Sequence, residues 1–122
     1  MIVSFDYGGV IGTQEPIRMV ASMLCEAGHE VHIISSINRA PKQAIEKLRK
    51  KMMSWQIPFK EIHYVFEPPV RSRNEAAATD FNAGLEKARV MKEIGAVFHI
   101  DDKAFVVKAI RSQGLKAIHV GK

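Results

Sequence analysis

The stretch Ile2–Gly9 reads IVSFDYGG, a short apolar run that closes in Asp6 and is followed by two glycines. Near the other end of the chain, AVFHIDD is a second β-like run, and it closes in Asp101 and Asp102. Strands that finish this way in one parallel sheet bring their acids together at one edge. Clustered carboxylates repel one another, so we expect a metal cation that neutralises them at this edge.

Length and composition predict one globular domain over residues 1–122, since 47% of the residues are hydrophobic and 25% are charged. The lone Cys25 excludes an intrachain disulfide, and its apolar helical surroundings predict a buried, unreactive thiol. We find no signal peptide and no run long enough to span a lipid bilayer. These features predict a cytoplasmic protein without a membrane partner.

Five β-like runs alternate with four helical patterns, which predicts an α/β fold. The expected architecture is a single doubly wound, Rossmann-like domain with a five-stranded parallel sheet, helices on both faces and no cap domain. Predicted strands cover about residues 2–6, 30–35, 62–66, 96–100 and 116–120. Predicted helices cover about 15–27, a stretch starting near 40–41, 83–94 and 103–113. The inward-facing residues of the first two helices are predicted to be Ile17, Val20, Ala21 and Leu24, then Ile45, Leu48 and Met52.

The region between the third strand and the third helix is predicted to be the least regular part of the chain. It covers about residues 67–82, with a helical turn near 74–78. In a doubly wound sheet, ligands bind at the carboxyl ends of the strands, where the strand order reverses. Asp6, Ser35 and Asp101 all fall at predicted carboxyl ends. Three polar residues at equivalent positions predict one functional site.

Four separated segments carry a resemblance to a known family. FDYGGVIG contains Asp6, IISS contains Ser35 and Ser36, GLEKARVMKEIG contains Lys87, and HIDD ends in the acidic pair. In this order the set resembles the haloacid dehalogenase-like superfamily, most of whose members are phosphatases. The first segment is especially similar to the FDLGGV and FDLGNV forms found near sugar-phosphate phosphatases. The resemblance covers nearly the whole chain.

The resemblance implies that Asp6 is the nucleophile and that Ser35, with Ser36 as the alternative, contacts the phosphoryl group. It also implies that Lys87, with Lys92 as the rival, is the lysine of the third motif. The chemistry is consistent, because a carboxylate can attack phosphorus and form an acyl phosphate. Mg²⁺ would offset the repulsion between this carboxylate and the phosphate. The expected Mg²⁺ ligands are Asp6, the Gly8 carbonyl, Asp101 and Asp102, and the expected phosphate-binding residues are Gly8, Gly9, Ser35, Ser36 and Lys87.

Gly8 departs from the family pattern. Most phosphatases of the family carry a second aspartate at this position, which protonates the leaving group and later activates water. General acid–base help is worth about 10²–10⁴-fold, so Gly8 predicts a slow phosphatase or one restricted to good leaving groups. The alternative is a catalytically degenerate relative that binds an anion or nucleic acid without turnover. A phosphoacceptor receiver domain fits poorly, because its acidic pair follows the first strand.

The predicted second helix is strongly basic. Residues 37–60 contain one acidic residue, Glu46, and seven basic ones: Arg39, Lys42, Lys47, Arg49, Lys50, Lys51 and Lys60. The helix of about residues 39–51 is either a solvated face or a weak nucleic-acid contact. The substrate is expected to be a phosphorylated small molecule or an exposed macromolecular phosphate. Without a cap, a second copy of the chain could serve as the lid, so a homo-oligomer is an open expectation.

Several residues have a structural role as their alternative. Asp102 could cap the helix that begins near residue 103, and Arg71 and Arg73 could either touch a substrate anion or point into solvent. The spacing of the histidines matches no zinc signature, which favours structural roles for His29, His32, His63, His99 and His119.

Overall fold

A computed structural model describes residues 1–37, 41–68 and 72–121, and of Pro41 only its backbone. The strands are β1 (Ile2–Phe5), β2 (Glu30–Ile37), β3 (Glu61–Phe66), β4 (Ala96–Asp101) and β5 (Lys116–His119). The helices are α1 (Glu15–Glu26), α2 (Pro41–Ser54), α3 (Arg73–Ile94) and α4 (Ala104–Ser112). A π-helical turn, Tyr7–Ile11, joins β1 to α1. The predicted alternation of strands and helices is confirmed.

The five strands form one parallel sheet in the order β3-β2-β1-β4-β5. The first strand of the chain therefore lies in the middle, and the strand order reverses on its two sides. Such a reversal leaves a crevice at the carboxyl ends of the two central strands, β1 and β4. Asp6 and Asp101 lie at these ends, so the fold brings together the two acidic segments that the sequence singled out.

Two apolar clusters lie on opposite faces of the sheet. One contains Phe5 and Ile33 of the sheet, and α1 and α2 contribute Ile17, Ala21, Leu24, Ile45, Leu48 and Met52. The other contains Ile34 of the sheet together with residues of α3 and α4. Successive residues of β2 point to opposite faces, which is why Ile33 and Ile34 belong to different clusters. The doubly wound α/β domain is thus confirmed. One residue was placed wrongly, since Val20 is 41% exposed and lies outside the buried stripe of α1.

The prediction of an irregular stretch over residues 67–82 is wrong from residue 73 onwards, whereas the helical turn expected near 74–78 is confirmed as part of a longer helix. Helix α3 begins at Arg73 and runs for 22 residues. The Ser72 side chain caps it by accepting a hydrogen bond of 3.2 Å from the Glu75 backbone N–H. The S-x-x-E spacing is the signature of a capping box, and three alanines follow it, so the helix has both a start signal and strong helix formers. The helix ends at Gly95, which adopts a left-handed conformation.

Helices α3 and α4 approach each other closely at Gly84. A Cβ atom at this position would lie 2.6 Å from the Ala109 Cβ and 2.6 Å from the Val106 carbonyl oxygen. Glycine is therefore required by the contact between the two helices and not by the backbone angle. Helix α3 also carries Lys87. The close contact at Gly84 therefore helps to determine where the Lys87 side chain meets the edge of the sheet.

Within the described parts of the chain, no helix is both long and apolar enough to cross a membrane. The cytoplasmic location stays a prediction.

Candidate active site

Asp6 directly follows β1 and forms the N-cap of the π-helical turn. Its backbone N–H donates to the Ile100 carbonyl oxygen of β4 at 2.9 Å, so the ladder between the two strands holds it in place. The turn then bends sharply, because Gly8 has an extended ψ of 128° and Gly9 a positive φ of 74°. This bend ends the strand at the crevice and leaves the Asp6 side chain there.

Lys87 joins the two acidic segments. Its ammonium Nζ donates to Asp6 Oδ1 at 3.0 Å and to Asp101 Oδ2 at 2.9 Å, and only 1% of the residue is exposed. The rival, Lys92, lies on the exposed side of the same helix. Of the two lysines suggested by the sequence, the structure therefore brings Lys87 into the crevice.

Asp101 is buried within a chain of hydrogen bonds. Besides Lys87, its Oδ2 lies 2.9 Å from His99 Nε2, and the opposite ring nitrogen, Nδ1, lies 2.8 Å from Ser4 Oγ. Its Oδ1 accepts from the Lys103 backbone N–H at 3.1 Å. Three donors therefore fix the orientation of this carboxylate. His99 and Ser4 thus help to hold the Asp101 carboxylate in place. His99 precedes Asp101 by two residues on β4, so both side chains lie on the same face of the sheet.

The electrostatics leave one carboxylate short of positive charge. Burial would raise the pKa of Asp101, but Lys87 and the hydrogen bond from His99 outweigh it and hold that pKa well below its usual range. Burial raises the pKa of Asp6 to about 7, and Lys87 offsets only part of this effect. Burial would lower the pKa of Lys87, but Asp6 and Asp101 raise it instead, so the ammonium stays charged. One buried cation thus serves two buried acids, with Asp102 as a third nearby.

The three acids fit a divalent cation with oxygen ligands. Asp6, Asp101 and Asp102 each offer a carboxylate oxygen, and these oxygens lie within 4.8 Å of one another. Gly9 packs against this group so closely that a Cβ atom at this position would overlap the Asp102 carboxylate. Asp102 is half-buried and lines the cleft described below, whereas the oxygens of Asp101 are held by Lys87, His99 and the backbone. These oxygens could hold a divalent cation, and Asp6 and Asp102 are the two of the three acids that line the cleft.

Asp102 does not occupy the capping position of α4. The N-cap residue of that helix is Lys103, and the backbone N–H of Lys103 is bonded by Asp101 instead. Ser35 needs a second correction. Strand β2 continues through Ile37, so Ser35 does not end it. Ser35 still lies at the site, because β2 extends further than β1 and carries its polar residues past the level of Asp6.

A cleft of about 910 Å³ opens beside the acidic cluster. Asp6, Gly8, Gly9, Ser35, Ser36, Lys87 and Asp102 all line it, so the residues predicted to bind phosphate are brought together. Sequence reasoning missed a second group of lining residues: Gln43, Lys47 and Lys51 of α2, Glu67, and Lys103. Lys47 and Lys51 lie four residues apart and share one face of α2, a spacing that the sequence already contained. Part of the basic helix thus faces the cleft.

The remaining candidates lie elsewhere. Arg73 is exposed in the first turn of α3, while Arg71 and Arg39 fall outside the described residues. Cys25 is half-buried and not buried as predicted, and its thiol donates to the Pro58 carbonyl oxygen at 3.0 Å. Burial raises the pKa of this thiol, which agrees with the prediction that it is unreactive. Among the histidines, His99 supports Asp101, and His32 and His63 lie together on neighbouring strands.

Comparisons with known proteins support the fold. The chain is similar to a chain in each of two structures of a Pnkp1/Rnl/Hen1 complex, one described as an RNA repair complex, with TM-scores of 0.65 and 0.69 and identities of 18% and 19%. Both alignments include 98% of this chain, but only 42% and 45% of the matched chains. It is also similar to an uncharacterized protein from Corynebacterium glutamicum, with a TM-score of 0.60, 14% identity, and coverage of 99% of this chain and 85% of that one.

No family model matches the chain, and no curated protein matches it either. At these identities the solved structures show a shared α/β fold alone. The chain spans less than half of the matched chains in the RNA repair complexes. Membership of the haloacid dehalogenase-like superfamily stays a prediction that rests on the four motifs.

Proposed function

We propose that the protein is a Mg²⁺-dependent phosphohydrolase of the haloacid dehalogenase-like type, in which Asp6 forms an aspartyl-phosphate. The observation that carries the proposal is the buried Lys87 ammonium held between Asp6 and Asp101 at the edge of an open cleft. A protein that only folds around these residues has no need to bury two carboxylates, with a third half-buried beside them, around one lysine. Burying charged groups costs free energy, and such clusters are typical of functional sites, here one that binds a phosphoryl group and its cation.

In the first step, an Asp6 carboxylate oxygen attacks phosphorus and the bond from phosphorus to the leaving oxygen breaks. In the second step, water attacks the acyl phosphate, which releases phosphate and restores the carboxylate. Lys87 keeps Asp6 in place and supplies a fixed positive charge. The Ser35 hydroxyl and the nearby backbone N–H groups can hydrogen-bond the phosphoryl oxygens.

Asp6 and Asp102 would hold the cation, with the Gly8 carbonyl as a further oxygen donor and Asp101 as the oriented support behind them. When bound, Mg²⁺ supplies positive charge that reduces the repulsion between the Asp6 carboxylate and the phosphate and that stabilises the transferring group. The raised pKa of Asp6 agrees with this assignment, because burial and the nearby Asp101 and Asp102 carboxylates raise it more than Lys87 lowers it. Added positive charge would return Asp6 to the ionised, nucleophilic form at neutral pH.

Gly8 sets the expected rate. The leaving oxygen receives no proton from a side chain at this position, so esters with acidic leaving groups are expected to react fastest. The cleft has room for the missing group, since a Cβ atom on Gly8 would meet nothing within 4 Å. The fold could therefore accommodate an aspartate at position 8, although the sequence has glycine there.

A phosphate at the end of a nucleic acid is the first substrate to test. Lys47 and Lys51 line the cleft from the basic helix, and Lys103 lines it beside the acidic cluster. Among the described residues, Lys47 and Lys51 extend the cleft from the acidic cluster onto the exposed face of α2, which suits a substrate larger than a free phosphate. The RNA repair complexes with a similar chain make oligonucleotide phosphates a rational choice, with sugar phosphates as the small-molecule comparison.

The decisive experiment measures hydrolysis of an aryl phosphate and of 3′- and 5′-phosphorylated oligonucleotides, with Mg²⁺ and with a chelator. We expect Mg²⁺-dependent turnover in the wild type and a loss of at least about 10³-fold in Asp6→Asn, because the nucleophile is removed. Lys87→Met should lose most of the activity, whereas the matched control Lys92→Met, on the exposed side of the same helix, should retain it. Activity that survives in Asp6→Asn would refute the nucleophile assignment.

Binding of an anion or nucleic acid without turnover is the second candidate, and Gly8 favours it. A phosphate mimic separates the two functions. Beryllium fluoride with Mg²⁺ should form a stable adduct on Asp6 if the site is catalytic, and Asp6→Asn should abolish it. If instead oligonucleotides bind in a salt-dependent manner that Lys47→Ala and Lys51→Ala weaken, while no turnover and no adduct appear, the binding function replaces the catalytic one.

A further inference from the structure

A second cluster of metal-binding side chains lies towards the amino ends of β2 and β3, away from the cleft. His32 and His63 point from neighbouring strands to the face covered by α3, and Glu30 and Glu61 each precede a histidine by two residues on the same face. Ligand atoms of His32, Glu61 and His63 all lie within 4.8 Å of one another. None of these residues lines the cleft, so the cluster is independent of the acidic site.

The spacing of the ligand atoms is close to that around one small cation. His32 Nδ1 and His63 Nε2 are 3.0 Å apart, and His63 Nε2 is 3.9 Å from Glu61 Oε2. Two ligands bound at about 2.0–2.1 Å to a tetrahedral ion lie about 3.3 Å apart. Small rotations of the Glu61 side chain, which is 64% exposed, would therefore bring all three atoms to binding distance.

The buried histidine supplies the second observation. His32 is 5% exposed, and its Nε2 atom is buried without a hydrogen bond. Glu30 Oε1 lies 3.5 Å from this nitrogen, just beyond hydrogen-bonding geometry. A histidine that binds metal through one ring nitrogen normally donates the other N–H to a carboxylate, which fixes the tautomer. With Nδ1 on a metal, His32 would place its proton on Nε2 and direct it at Glu30.

The surrounding charge favours a cation here. Glu30 and Glu61 lie beside the imidazoles, and Glu93 of α3 is near enough to act on the His63 ring. Burial lowers the pKa of His63, and this effect outweighs the opposite influence of Glu61 and Glu93.

We propose that His32, His63 and Glu61 form a binding site for a divalent transition metal, Zn²⁺ first, with Glu30 as the hydrogen-bonding partner of His32. Two imidazoles and one carboxylate suit Zn²⁺ and its neighbours and do not suit Mg²⁺, which prefers oxygen ligands. The ion would tie β3, an edge strand of the sheet, to β2. A fourth coordination position remains for water on the exposed Glu61 side.

The test is a titration of the untagged full chain with Zn²⁺ in excess Mg²⁺, which occupies oxygen-ligand sites. We expect one equivalent of tightly bound Zn²⁺ by competition with a chromophoric chelator, and a visible absorption band when Co²⁺ replaces it. Glu61→Gln and His63→Gln should each weaken Zn²⁺ binding by at least about tenfold, and Glu30→Gln by about 10–100-fold. Glu61 is largely exposed, so its variant should fold even if His63→Gln does not.

Two controls separate this site from others. His29→Gln removes the histidine that lies 3.0 Å from the N-terminal amine, a second nitrogen pair, and should leave Zn²⁺ binding intact. Asp6→Asn should abolish phosphatase activity but leave the Zn²⁺ stoichiometry unchanged. The metal site is therefore tested independently of the proposed function. Zn²⁺ binding that is unchanged in both Glu61→Gln and His63→Gln, or no saturable binding in the wild type, would overturn it.

Discussion

Replacing Asp6 by asparagine should make the metal-free protein more stable at alkaline pH, although it removes the proposed nucleophile. Asp6 is buried with a single lysine shared between two acids, and its pKa is raised from 3.8 to about 7. In the unfolded chain this carboxyl loses its proton near pH 4, whereas in the folded protein it keeps the proton until about pH 7. The contribution of this carboxyl to the free energy of unfolding is therefore fully present below about pH 4, and it is lost as the pH rises through about 7.

The size of the effect follows from the same shift. Moving the pKa from 3.8 to about 7 corresponds to about 4 kcal/mol at about 1.4 kcal/mol per pH unit, of which about 3 kcal/mol falls between pH 5 and pH 8. Asparagine does not titrate and retains an oxygen that accepts from Lys87. The difference in unfolding free energy between Asp6→Asn and the wild type should thus grow by about 3 kcal/mol in favour of the variant over this range.

Urea unfolding of both proteins with a chelator at several pH values measures this difference. The pH dependence of other groups, such as His99, is present in both proteins and cancels in the comparison. Asp80→Asn is a suitable control, because it removes an aspartate outside the buried cluster. Mg²⁺ at pH 8 should stabilise the wild type more than Asp6→Asn, by about 2.7 kcal/mol at 100 times its dissociation constant. A variant that is less stable than the wild type at pH 8, or a difference that is constant from pH 5 to 8, would refute the reasoning.

Three glycines give further predictions. Gly8→Asp should fold normally, since nothing lies within 4 Å of its Cβ, and should accelerate hydrolysis of alkyl phosphates by about 10²–10⁴-fold; unchanged turnover would mean that the missing acid does not limit the rate. Gly9→Ala should lose about 1–3 kcal/mol of stability and most of the activity, because its φ is +74° and its Cβ would overlap Asp102; wild-type stability and turnover would contradict this. Gly84→Ala should cost about 1–3 kcal/mol in urea unfolding, because its Cβ would lie 2.6 Å from that of Ala109, and an unchanged midpoint would show that the two helices can separate freely.

The fold could be predicted largely because the central strands β1, β2 and β4 are mostly buried and contain apolar runs. Parallel strands covered on both faces have this pattern, and the intervening helices show their own period. The start of α3 was missed because the prolines before it suggested a loop, although Ser72 and Glu75 formed a capping signal. The end of β2 was misplaced because Ser35 and Ser36 are polar but pair with β3, through a register that only the folded sheet shows.

The core of the candidate site was predictable where the residues follow strand ends, as Asp6 and Asp101 do. Lys87 could be proposed from the motif, but its burial depends on the contact between α3 and α4, which no local pattern reveals. The sequence left the basic helix as either a solvated face or a weak nucleic-acid contact, because helical periodicity does not show that Lys47 and Lys51 line the cleft. His32 and His63 are 31 residues apart, so only the pairing of β2 with β3 brings them together.

The central position of β1 has a consequence for how the protein is made. Its neighbour β2 follows within the first part of the chain, but its other neighbour, β4, is synthesised much later. A nascent chain that ends near β3 would present β1 with one open hydrogen-bonding edge, the kind of edge that recruits foreign strands. Lys87 lies 81 positions after Asp6, so the ion pair between them reports that the late half has docked. The candidate site would then be complete only once the late half of the chain has folded against the early half.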